Sequence, residues 1–296
     1  MKVNPTIKII LVAILTSSGV LRAQGDLLDF LDAESEPVPQ YALATFKGTK
    51  IINTQSVALP AEGELQFLIQ HRFGTINQGA YELWGLDQAS IRLGLDYGVT
   101  EWLAVGVGRS SFQKTYDGSV KVRLLRQQTG LKEIPLNLTY FTGLAINGLK
   151  WEDPERENYF SSRMSYVHQL LIARKFGSRL SIQLTPTFVH RNLVATSARG
   201  NDDYALGFGG RYKINSRVSI NWDYYALAKN EVTEESLRNS LSIGVDIETG
   251  GHVFQLHATN SQGMFERSFI TETVGQWSEG DIYFGFNISR VFSLKN

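Results

Sequence analysis

The chain has 296 residues, with 29 Lys+Arg against 29 Asp+Glu, a formal net charge of zero and no cysteine. This balance excludes a nucleic-acid binder, which carries a basic excess or stripe. The missing cysteines exclude disulfides, thiolate metal sites, a catalytic thiol and a lipid-anchored N-terminal Cys. Hydrophobic residues at 43%, with 27 Gly and only 7 Pro, exclude a disordered or fibrous chain.

Residues 1–23 read as a secretory signal. Lys2 and Lys8 supply a positive start, Ile9 to Leu15 a short apolar core, and Leu21-Arg22-Ala23 a cleavage site. The apolar run is shorter than the ~20 residues of a spanning helix. Residues 24–41 form an acidic stretch with Asp26, Asp29, Asp32, Glu34 and Glu36 beside Pro37 and Pro39, the texture of a flexible tail. Residues 42–62 suit order better, as a segment in the periplasm or a plug, with Ile51-Ile52 and Val57 among small polar residues.

From residue 63 to 296 the pattern is strand, turn, strand. Ile91, Leu93, Leu95 and Tyr97 alternate with Arg92, Gly94, Asp96 and Gly98, and Leu241, Ile243, Val245 and Ile247 with Ser242, Gly244, Asp246 and Glu248. One apolar and one polar or Gly-rich face marks antiparallel strands between two environments. Twelve segments follow this rule: 64–73, 89–98, 102–112, 118–128, 133–144, 161–175, 179–191, 203–214, 217–227, 238–248, 252–260 and 281–292. Tight links at 98–101, 129–132, 176–178, 215–216 and 249–251 alternate with longer ones at 74–88, 113–117, 145–160, 191–202, 228–237 and 261–280. A secreted sandwich has no reason for such alternation, whereas an outer-membrane barrel has short periplasmic turns and long outer loops. The fold class is therefore all-β: an antiparallel transmembrane up-and-down β-barrel of about twelve strands.

Tyr97, Trp102, Phe176 and Tyr212 near short turns, and Tyr140, Phe141, Phe188, Tyr204 and Tyr224 near long loops, are expected to form two aromatic girdles. Pro186, inside the seventh segment, predicts a local bulge.

Thr45-Phe46-Lys47-Gly48-Thr49-Lys50-Ile51-Ile52-Asn53, followed by a Gly-bounded strand from Glu64 to Arg72, resembles an uncharacterised family of Bacteroidetes-type outer-membrane β-barrel proteins. The likeness runs through Asp96-Tyr97-Gly98-Val99-Thr100-Glu101-Trp102 to the final aromatic strand. The resemblance implies an outer-membrane location and brings no established activity and no catalytic residues.

The inward face is expected to carry Glu64, Arg72, Arg92, Asp96, Lys121, Arg123, Arg211, Lys213, Asp223, Asp246 and Glu248. Such charges either line a pore for a polar solute or pair as structural fill. The motif residues Thr45, Phe46, Lys47, Gly48, Lys50 and Asn53 are the candidate plug or docking element. Lys47 and Lys50 are expected to meet carboxylates such as Asp96, and Gly48 to permit a tight bend.

Catalysis finds little support. The five histidines show no short metal-ligand spacing and no G-x-S-x-G elbow occurs, so no metal, cofactor or catalytic residue is assigned. Ser165 and His168 lie three apart in one strand and so face opposite ways. The expected function is passive passage of small polar solutes or a structural scaffold, with a lipid or lipopolysaccharide hydrolase as the alternative. Expected partners are outer-membrane lipid, the barrel-insertion machinery and a periplasmic or lipoprotein partner. Trp84, Trp151 and Trp277, on three long links, would grip a sugar if they converged.

Overall fold

The structure, a computed structural model, describes residues 38–194, 199–228 and 236–294. The signal and tail readings for residues 1–37, with all the acids of the tail, lie outside the described residues.

Twelve strands close into one antiparallel barrel in which each pairs with its sequence neighbours. They are β1 Glu64–Thr75, β2 Ala89–Gly98, β3 Leu103–Ser110, β4 Tyr116–Leu125, β5 Asn137–Ile146 and β6 Met164–Phe176. The second half holds β7 Leu180–Arg191, β8 Asp202–Lys213, β9 Val218–Leu227, β10 Ser240–Thr249, β11 His252–Thr259 and β12 Tyr283–Ser293. β12 pairs with β1 to complete the ring, with a register irregularity between Tyr283 and Gly285. The alternation reads directly as geometry. Ile91, Leu93 and Leu95 point outward and are exposed, while Ser90 and Arg92 point inward and are buried. Closure leaves no unpaired edge, which is what allows strands to stand in lipid.

Links fall into two sets. One end carries the short links 99–102, 177–179, 214–217 and 250–251, and also receives the chain before β1. The other end carries 76–88, 111–115, 147–163, 192–201, 228–239 and 260–282. The 129–132 turn is instead part of a longer link, 126–136. It contains a short strand, Gln128–Gly130, paired with Pro39–Tyr41. The pairing gives the exposed Pro39–Tyr41 a place, and Arg126 stacks over the Tyr41 ring at 4.1 Å.

Pro186 causes no bulge. β7 keeps one register with β6 on both sides of it, from Gln169↔Thr187 to Ile172↔Leu184, and pairs Leu206↔Pro186 with β8. The ladder loses pairs with β6 at that point, as expected for a residue without an N–H, and no residue is inserted.

Of the expected girdle, Phe141 belongs elsewhere. It faces inward and is 1% exposed, on the same inward face as Thr139 and Asn137. It joins Val167, Leu171, Ala173, Val189, Ala205, Tyr225 and Leu227 in an apolar cluster on the inner wall of β5–β9. Half of the lumen is thus greasier than strict alternation suggests. Leu237 of the 228–239 link and two further segments complete the cluster.

Candidate functional site

The lumen is occupied by the chain itself. Residues 49–56 fold into a hairpin, closed by Ile51 N–H donating to Thr54 O at 2.8 Å and Ser56 N–H to Thr49 O at 2.9 Å, with Lys50 opposite Gln55. It enters from the short-turn end. Ile51, Ile52, Asn53, Thr54 and Ser56 are all at most 2% exposed. Phe46, Ile51 and Val57 join the apolar cluster of the wall.

Polar wall residues take up the hairpin backbone, whose N–H and C=O groups could not otherwise be buried. The Lys121 ammonium donates to Thr49 O, Ser56 O and Ala58 O at 2.8, 3.0 and 3.3 Å. Asp223 Oδ2 accepts the N–H groups of Asn53 and Thr54 at 2.8 and 3.0 Å. Gln183 accepts Val57 N–H at 3.0 Å and donates to Gln55 O at 2.7 Å. Thr139 donates to Val57 O, Gln255 to Ile51 O and Asn287 to Ile52 O. At the tip, Arg72 Nη2 donates to Asn53 Oδ1 at 2.6 Å, and Asn53 Nδ2 donates to Ser242 Oγ at 3.0 Å.

A second insert comes from the long-loop end. The 260–282 link turns inward and carries one short α-helix, α1, Glu266–Thr271, with Met264, Phe265, Phe269 and Ile270 at most 1% exposed. Its Glu266 meets the hairpin. Glu266 Oε1 accepts from Lys50 Nζ at 2.8 Å and from Gln55 Nε2 at 2.7 Å. Burial alone would raise the Glu266 pKa, but Lys50, Arg92 and the hydrogen bonds from Lys50 and Gln55 outweigh it and hold the carboxyl below its ordinary value. Beside this contact lies a cavity of about 10 Å³ lined by residues including Lys50, Arg92, Asp96, Asp117 and Glu266, room for about one water. A cavity of about 110 Å³ sits lower, between Ala42–Phe46, Val57–Leu59, Arg123, Arg126 and Asn137.

The inward charges divide by task. Arg72, Lys121 and Asp223 hold the hairpin. Arg92 pairs with Asp117, a carboxylate on β4 that the sequence reading did not single out. Arg211 donates to Glu248 at 2.9 Å, and Asp246 accepts from Gln255 at 2.6 Å. Three residues sit at the short-turn rim: Glu64 accepts from Ala61 N–H, Arg123 donates to Glu101 O, and Lys213 is half-buried at the end of β8.

The motif lysines take other partners than Asp96. Lys47 pairs with Glu248 at 2.6 Å and Lys50 with Glu266, while Asp96 accepts from Thr49 Oγ1 at 2.8 Å. Alternation along the hairpin points Thr49, not its neighbours, at β2. Gly48 makes no left-handed turn, and a Cβ there would meet only ordinary contacts, the nearest at 3.6 Å to Lys50 O. Its carbonyl matters instead, accepting from Ser56 Oγ at 2.6 Å. Thr45 Oγ1 accepts from Asn137 at 3.2 Å.

Ser165 is buried inward against Ala145 O, while His168 bonds Tyr140 OH at 2.7 Å on the outer face, so the strand wall stands between them. Among the described rings, no contact joins Trp84, Trp151 and Trp277; Trp151 lies under Arg163 at 3.8 Å.

Residues 46–292 match the family described as "Membrane bound beta barrel domain (DUF5777)". No curated protein matches the chain. Among solved structures, the NanC porin aligns with 10% identity and a TM-score of 0.49, covering 78% of this chain and 100% of that one. An outer membrane channel from Pseudomonas putida F1 aligns with 13% identity and a TM-score of 0.46, over 79% and 97% of the two chains. Outer membrane phospholipase A from Escherichia coli aligns with 12% identity and a TM-score of 0.46, over 80% and 92%. No residue of this chain takes a role from these likenesses.

Proposed function

The chain belongs to the membrane-bound β-barrel domain family, and from that premise we propose that it is an outer-membrane pore for small polar solutes, shut at rest by its own N-terminal hairpin. In this reading the short turns and the segment before β1 face the periplasm, and the long loops face outward. Lipid covers the exposed Ile, Leu and Val band, and the barrel-insertion machinery reads the last strand, with its aromatic Phe292.

The observation that carries the reading is the Lys50–Glu266 contact. Two inserts from opposite ends meet there through one ion pair and one amide, while each packs its apolar side chains on the same cluster of the wall. A permanent filling would favour apolar packing at that junction, since a buried ion pair adds little stability over a hydrophobic replacement. A polar junction can part and be rehydrated. The exposed Pro39–Tyr41 strand, continuous with the hairpin, offers a handle to a periplasmic or lipoprotein partner.

The test is conductance in planar bilayers. The natural chain should be mostly closed. Lys50→Glu places two buried carboxylates in contact and should raise the open fraction sharply. Adding Glu266→Lys restores opposite charges and should bring closure back. If Lys50→Glu is as silent as the natural chain, the pore reading fails and the filled barrel is a scaffold.

A further inference from the structure

The hairpin is held in a way that points to what else fits the lumen. Six inward side chains on six strands, Lys121, Thr139, Gln183, Asp223, Gln255 and Asn287, bond its peptide groups rather than its side chains. Gln183 is the most telling. It donates to the carbonyl of Gln55 and accepts the N–H of Val57, the two groups that bracket Ser56 along one edge of an extended segment. A neighbouring strand would present the same donor and acceptor to that edge. Asp223 likewise takes two successive N–H groups, which suits a turning backbone and has no counterpart in a sugar's scattered hydroxyls.

Side chains of the hairpin drop into spaces floored by glycine. Ile51 Cδ1 lies where a Cβ on Gly209 would be 2.7 Å away, and Ile52 Cδ1 would be 3.3 Å from a Cβ on Gly244. Backbone bonding with pockets for selected side chains is a division of labour found in peptide recognition: the main chain supplies affinity and the pockets supply selectivity.

We propose that the lumen is a binding site for short turn-forming peptides carrying aliphatic side chains, and that the hairpin is the chain's own occupant of it. The inference rests on the pore reading above and names its solute class. A peptide arriving when the hairpin withdraws meets the same six side chains and the two glycine-floored pockets.

The test uses the full chain carrying Lys50→Glu in planar bilayers. The probes are acetyl-Ile-Ile-Asn-Thr-amide, acetyl-Gly-Gly-Asn-Thr-amide and maltotetraose at equal concentrations. The aliphatic peptide should block the current at a half-blocking concentration about tenfold or more below the other two, the discrimination available from filling an apolar pocket. Gly209→Ala, added to Lys50→Glu, puts a methyl where only the movable tip of Ile51 stands at 2.7 Å. It should erase most of the peptide's advantage, read against that variant's own open current, while heat-shifted gel mobility shows the barrel folded. Equal block by peptide and sugar, or block indifferent to Gly209→Ala, overturns the peptide inference with the pore intact. No current from Lys50→Glu removes the pore reading, and this inference with it.

Discussion

Lys50 and Glu266 sit where water is too scarce to support either charge alone, so each depends on the other being ionised. Because the folded-state pKa of Glu266 lies below its ordinary value of 4.5, its contribution is fully present above that value. It is lost as the pH falls through the lowered folded value. The open fraction of the natural chain should therefore stay low at neutral pH and rise only on acidification below 4.5, the ordinary carboxyl value. Glu266→Gln should flatten that rise, as read by conductance across a pH series. Lys50 was visible beforehand, as a cation in an ordered lead-in segment. Glu266 was not, since it stands 216 residues away in a link whose acids look solvated and no local pattern ties the two. Asn287, Gln255 and Gln183 were equally silent, because an uncharged amide on a strand's polar face announces nothing until its partner is seen.

The strands were the most legible elements. Period-2 alternation reports the local environment residue by residue, and it located all twelve to within a few positions. It said less about the inner face of β5–β9, where Val167 and Leu171 alternate with residues that are also apolar or aromatic. There both faces are greasy, and the pattern does not tell lumen from lipid. The reason is packing: the apolar wall exists to receive Phe46, Ile51, Val57, Phe269 and Ile270. At this scale the hairpin is anchored along its length by both apolar packing and hydrogen bonds from the wall. Phe46→Ala should cost the seated hairpin about 3 kcal/mol, the low end for a buried Phe→Ala change. That corresponds to about a hundredfold shift from closed to open, measurable as open probability. The same variant should leave the barrel folded, because Phe46 lies on the insert and not on the wall.

The described residues form a ring of lipid-compatible strands with the hairpin and α1 inside it, and its orientation is a separate proposal from its fold. With no native cysteine, single introduced thiols report it cleanly. Glu155→Cys, in the exposed 147–163 link, should react with an impermeant maleimide on intact cells. Ser178→Cys, at the β6–β7 turn, should react only after the outer membrane is breached; the reverse pattern would invert the proposed topology. The seam between β12 and β1 carries a final consequence. Arg72 on β1 and Asn287 on β12 both hold the hairpin tip, so its cradle is incomplete until the first and last strands meet. The hairpin tip therefore finds its full set of partners only once the wall has zipped, which ties the firmness of the cork to the integrity of the seam.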